Sequence, residues 1–245
     1  MRDSASYIPA GRIPAISAAV LAACDAQDGV ADGIVNDPQT CRFDPAMMLC
    51  KKDTTDSSGC LAAPQADALR KIYAGPKNSK GEQIFPGYSP GGETGPGGWP
   101  TWISGSAPGR SLQFAFTSGF FRNMVFDNPA WDFNTFNFDT GVRLADEKQA
   151  HALNATDPNL KAFKARGGKL ILYHGWSDAA IPPLSTVGYY NKILATMGAR
   201  DTGEFVRLYM APGMQHCSGG PGPNSFDQFG VSSAPADPRR SPARR

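Results

Sequence analysis

Two apolar runs in the last third of the chain, Lys169–Tyr173 and Phe205–Met210, constrain the fold more than any other feature. Each is short, rich in Leu, Ile, Val and Tyr, and bounded by turn residues, which is the signature of a buried strand. Each then enters a Gly-containing loop. The first unit reads Gly-Gly-Lys-Leu-Ile-Leu-Tyr-His-Gly-Trp-Ser-Asp from Gly167 to Asp178. The second reads Phe-Val-Arg-Leu-Tyr-Met-Ala-Pro-Gly-Met-Gln-His-Cys from Phe205 to Cys217. Between them Pro182–Met197 has helical spacing. A doubly wound sheet needs several parallel strands with helical crossovers, and strand, helix and strand in this order read as its closing portion.

Upstream the pattern is different. Ile16–Cys24 and Ala62–Tyr73 read as helices, the second stopped by Gly75-Pro76. Residues 77–109 are rich in Gly and Pro and too long for a simple connection, which suggests a lid or binding loop. Phe114–Phe138 is dense in aromatic residues that suit a small core, with a few left over for a pocket. A helix is expected over Asn154–Arg166, entered at Asp157-Pro158. Strand signals are nearly absent before Lys169, so only the closing portion of a sheet is visible.

A chain of 245 residues can bury a full core in one or two domains. With 41% hydrophobic residues and a net charge of +2, nothing points to nucleic acid as a partner. No apolar run approaches the ~20 residues of a membrane span. The opening Met1-Arg2-Asp3-Ser4-Ala5 lacks the apolar stretch of a secretory signal. Four cysteines, Cys24, Cys41, Cys50 and Cys60, cluster early, and Cys217 stands alone. The simplest count is two local disulfides and one cysteine that is free or paired outside the chain; five reduced thiols are the alternative.

Asp178 and His216 are the candidate acid and base. A loop after each strand can aim a carboxylate at an imidazole, so that the imidazole accepts a proton from a nucleophile and passes it to a leaving alcohol. The competing reading is that Asp178 caps the following helix and His216 is structural. His174, at a strand end, reads as structural, and His151 as solvated. The nucleophile should lie upstream of Asp178. The one literal Gly-x-Ser-x-Gly, Gly87–Gly91 around Ser89, lacks a preceding strand and carries Pro86 and Pro90, so it reads as a turn. Separately, the acidic loop from Cys24 to Asp37 suits a hard cation: Asp25, Asp28 and Asp32 could supply carboxylates, and Val30 and Ile34 carbonyls. Its spacing is not that of an EF-hand, and solvated Asx-turns are the other reading.

Three segments in order resemble the tannase/feruloyl esterase family of α/β-hydrolases, which includes mono(2-hydroxyethyl) terephthalate hydrolase-like enzymes. They are Cys24-Asp25-Ala26-Gln27-Asp28-Gly29-Val30-Ala31-Asp32-Gly33-Ile34, then Gly167–Leu170 with His174-Gly175-Trp176-Ser177-Asp178, then Pro212–Gly220. The resemblance implies a secreted or periplasmic serine esterase acting on esters of aromatic acids, with Asp178 and His216 as triad members. It implies structural calcium held by Asp25, Asp28, Val30, Asp32 and Ile34, and disulfides Cys24–Cys41 and Cys50–Cys60. It also implies that the nucleophile segment and a partner for Cys217 lie N-terminal to Met1. The expected fold class is therefore α/β: a partial α/β-hydrolase, comprising the closing strands and helices of the sheet, with a large helix/loop-rich lid insertion. Residues 1–150 would form the lid, 151–227 the C-terminal part of the hydrolase domain, and 228–245 a disordered or aberrant tail. Such a fragment would be inactive alone, with Phe114–Phe138, Trp99 and Trp102 contributing to an aromatic-acid pocket in the complete enzyme. A non-catalytic, calcium-stabilised ligand-binding domain is the alternative.

Overall fold

The structure, a computed structural model, describes residues 4–52 and 57–227, so the tail expected at 228–245 lies outside the described residues. Helix α1 (Ile13–Cys24) starts with Pro14 in its first turn and buries Ile13, Ile16, Ser17, Val20 and Cys24. That spacing puts one continuous stripe against the core. Helix α2 (Ala63–Ala74) is entered through Gln65, whose side chain accepts the Ala62 N–H at 3.0 Å and donates to the Tyr7 carbonyl at 2.8 Å. Helices α3 (Leu112–Phe120) and α4 (Phe138–Ala145) bracket the aromatic segment. Ser111 caps α3 by accepting the Phe114 N–H, and Asn137 caps α4 by accepting from Asp139 and Thr140.

After a single turn, α5 (His151–Leu153), a short helix, α6 (Lys161–Ala165), is all that forms of the longer helix expected over Asn154–Arg166. The Asp157 carboxylate accepts the Asn159 N–H at 2.9 Å, so the side chain satisfies the backbone in a turn instead of a helix. Strands β1 (Leu170–Gly175) and β2 (Val206–Ala211) then pair in parallel, from Leu170 opposite Val206 to Gly175 opposite Ala211. The connection between them carries α7 (Leu184–Met197) and α8 (Ala199–Gly203). No other strand occurs among the described residues. This is a partial α/β-hydrolase core, a small unclosed sheet, with a helix-rich lid insertion before it.

Two cores result. One gathers α1 and α2 around Trp99, Leu61, Leu69 and Val35, and it also takes in Ala179 from the loop after β1. The other centres on Ile193, Phe205 and Val206, under β1, β2 and α7. Disulfides Cys24–Cys41 and Cys50–Cys60 both lie in the first region, with the pairing that the resemblance implied. No described helix is long and apolar enough to cross a membrane.

Candidate active site

The parallel register brings the two catalytic-looking loops side by side. Beyond the last pair, the Trp176 N–H donates to Ala211 O at 2.9 Å and the Ser177 N–H to Met214 O at 3.0 Å. Gly175 has to be glycine, because a Cβ there would overlap the Met214 carbonyl. Asp178 follows at once and is buried. Its Oδ1 accepts the Ala180 and Ile181 N–H groups at 2.7 and 2.8 Å, while Oδ2 receives His174 Nε2 at 3.1 Å and His216 Nδ1 at 2.9 Å. Burial opposes ionisation, but the bonds from His174, the Ile181 amide, His216 and the Ala180 amide outweigh it and hold the carboxyl below its ordinary value.

His216 sits in a loop closed by the Gln215 N–H on Gly219 O at 3.1 Å. The next residue, Cys217, holds φ at 64°, a left-handed conformation that non-glycine residues seldom adopt. The imidazole is 38% exposed, so a reacting group can approach it. Trp102 meets its ring edge to face with centroids 5.4 Å apart, and Phe116 stacks on Trp102 at 6.1 Å. Across the Asp178 loop, Tyr88 donates to Ala180 O at 3.3 Å. Burial chiefly pushes the Tyr88 hydroxyl up to about 12; the Gln113 hydrogen bond acts against the shift and the Asp178 charge adds to it.

The Gly-rich segment before α3 grips both loops. Gln215 Nε2 donates to Thr94 O at 2.6 Å, and its Oε1 accepts the Gly97 N–H at 3.1 Å. Ser177 Oγ donates to Gly91 O at 3.1 Å, and a Cβ on Gly92 would stand 2.7 Å from Ser177 Cα. The segment is anchored by Glu93, fully buried, which accepts from the Tyr73 hydroxyl at 2.7 Å and the Gly91 N–H at 2.9 Å. Burial raises the Glu93 carboxyl above its ordinary value despite these bonds.

The structure thus brings Asp178 and His216 together and adds His174, which the sequence reading set aside. A signal was present: His174 is at the C-terminal end of a parallel strand, where such sheets collect functional groups, and it precedes Asp178 by one turn. His151 is exposed, as expected. Ser89 is buried in an irregular segment and makes no hydrogen bond to His216. Among the described residues His216 Nε2 has no hydrogen-bond partner.

Three expectations need comment. The calcium assignment to Asp25, Asp28, Val30, Asp32 and Ile34 is corrected: among the described residues no group of three or more His, Cys, Asp or Glu is placed to hold a metal. The carboxylates instead serve their own backbone. Asp25 accepts from Asp32, Gly33 and Ile34 N–H groups, Asp28 from Val30 and Asp32 from Ile34. The Asp28 and Asp32 bonds, each to the amide two residues on, are the Asx-turns of the competing reading, and Asp25 gathers the far end of the loop. The expected partner for Cys217 outside the chain is likewise corrected: the disulfides form within the chain, Cys24–Cys41 and Cys50–Cys60, and Cys217 is a free, exposed thiol. The aromatic residues divide. Trp102 stands at His216 with Phe116 stacked on it, whereas Trp99 is core, packed on Tyr73 and Tyr88. Phe114, Phe121, Trp131, Phe133, Phe136 and Phe138 line a separate cavity of about 1100 Å³ that neither Asp178 nor His216 reaches.

Comparison with known proteins follows the same lines. The family model for tannase and feruloyl esterase matches residues 1–239. An uncharacterized esterase of Xanthomonas campestris pv. campestris is 42% identical over 245 residues, covering 91% of this chain and 42% of that protein. The mono(2-hydroxyethyl) terephthalate hydrolase of Piscinibacter sakaiensis is 35% identical over 256 residues, covering 87% and 41%. The crystal structure of feruloyl esterase B from Aspergillus oryzae superposes with a TM-score of 0.80 at 25% identity, over 91% of this chain and 45% of that one. The chain spans about two fifths of the length of the curated relatives it matches.

Proposed function

The chain belongs to the tannase and feruloyl esterase family, and from that premise we propose that it carries the acid and base of a serine-type carboxylic ester hydrolase acting on esters of aromatic acids. The observation that carries the proposal is the 2.9 Å bond from His216 Nδ1 to Asp178, with Nε2 unpartnered among the described residues and the side chain 38% exposed. An ionised Asp178 fixes the proton on Nδ1, so the lone pair on Nε2 is free to take a nucleophile's proton. The imidazolium that forms lies against the carboxylate, and the same proton then goes to the departing alcohol. Trp102, beside His216 and extended by the stacked Phe116, offers an aromatic surface on which a planar acyl group can lie.

No hydroxyl among the described residues bonds to Nε2, so in this proposal the nucleophile comes from outside them and the described residues supply the acid and base alone. Residues 1–150 act as the lid and 151–227 as the closing part of the hydrolase domain. Two disulfides suit a secreted or periplasmic protein, because an oxidising compartment keeps such bonds closed.

The test is a graft. The chain replaces the matching segment of the Xanthomonas campestris esterase, and hydrolysis of methyl gallate and methyl ferulate is followed. Turnover is expected in the graft and absent from the chain alone. His216→Ala and Asp178→Asn in the graft should each lower kcat on the order of 10⁴-fold. Undiminished turnover in His216→Ala would sink the assignment. Turnover by the isolated chain would show that its own residues include the nucleophile.

A further inference from the structure

We propose that His174 is a positioning residue, which with Thr186 sets the orientation of Asp178 and thereby of His216. The inference rests on the acid–base reading above and adds a third and fourth residue to it. Asp178 is held as a carboxylate, so every group bonded to it must donate. Two backbone amides fill Oδ1, and two imidazoles share Oδ2. His174 therefore carries its proton on Nε2, and His216 on Nδ1.

The two rings differ in what their second nitrogen meets. His174 Nδ1 lies 2.7 Å from Thr186 Oγ1, on the first turns of α7. With the proton on Nε2, that nitrogen is an acceptor and the threonine hydroxyl donates to it. His216 Nε2 meets no such group among the described residues. The exposures run the same way, with 12% for the His174 side chain against 38% for His216. One imidazole thus has both nitrogens occupied and serves as a strut, while the other has one free and serves as a base. The strut ties the end of β1, the start of α7 and the Asp178 loop to one carboxylate oxygen. That fixes the direction in which the oxygen faces His216, much as an outer partner fixes a ligating group.

Two measurements test the proposal. In the 245-residue chain with heavy-nitrogen-labelled histidine, long-range proton–nitrogen NMR reports which nitrogen of each ring is protonated. The expected result at neutral pH is the Nε2–H tautomer for His174, with Thr186→Val mixing its tautomers. An Nδ1–H tautomer at His174 would overturn the proposal, and this readout needs neither turnover nor a variant that might fail to fold. In the graft, His174→Ala should lower kcat about tenfold with KM unchanged, the worth of one charge-assisted hydrogen bond. His174→Gln, whose amide can still donate to Oδ2, should restore most of that loss. Equal kcat in His174→Ala and the parent would refute the role, as would equal losses in the Ala and Gln variants. If the graft is inactive while the NMR result holds, the esterase reading has failed and the strut has not.

Discussion

The regions on either side of Asp178 are built on different principles. The first has a core of aliphatic and aromatic side chains around α1 and α2, closed by two disulfides. The second has a smaller cluster of Ile193, Phe205 and Val206, under two strands whose side chains are mostly half-buried. A lid is usually pictured as the loose part of an enzyme. Here the lid region holds the larger core, and the part that bears Asp178 and His216 leans on it through Ala179 and the segment around Glu93.

The largest expected effect comes from opening that first region. Replacing Cys24 and Cys41 by Ser removes a cross-link closing 17 residues, which should cost about 2–5 kcal/mol. Amide exchange should quicken across α1 and α2 before β1 and β2. Simultaneous loss of protection in both regions would show one cooperative unit and dissolve the comparison.

A smaller effect should come from the seam between the regions. Gly92→Ala drives a methyl against the Ser177 backbone, at a cost of about 1–3 kcal/mol. The Asp178 and His216 loops should lose exchange protection while α1 keeps its own. No change at Asp178 would mean that the segment merely touches the site.

The smallest effect is a pH slope. Burial raises the Glu93 carboxyl above 4.5, so the folded state holds that proton more tightly than the unfolded chain does. Between pH 4.5 and the raised value the native state binds more protons, and stability falls as pH rises. Glu93→Gln should flatten this part of the urea-midpoint profile. An unchanged slope would assign it to another group.

Much of the second region was legible in the sequence because strand periodicity and loop chemistry are local. The two strands, α7, Asp178 and His216 follow from residues 169–216 alone. The acidic loop misled, because carboxylates spaced for a cation are also spaced to cap one another's amides, and only three-dimensional placement separates the two. His174 was passed over because its role depends on Thr186, twelve residues further on. Helices α3 and α4 were hidden by aromatic density that masks helical periodicity, although Ser111 and Asn137 mark both starts. The grip of Thr94 and Gly97 on Gln215 could not be read at all, since it joins residues 121 and 118 positions apart.

That grip has a practical side. A mutagenesis library aimed at new substrates would naturally randomise the Gly-rich lid segment, the stretch that looks most variable and least structured. Residues 91–98 are instead the mould in which the Asp178 and His216 loops are cast. Diversity is better placed at the exposed side chains of Phe116, which stacks on Trp102, and Ile181.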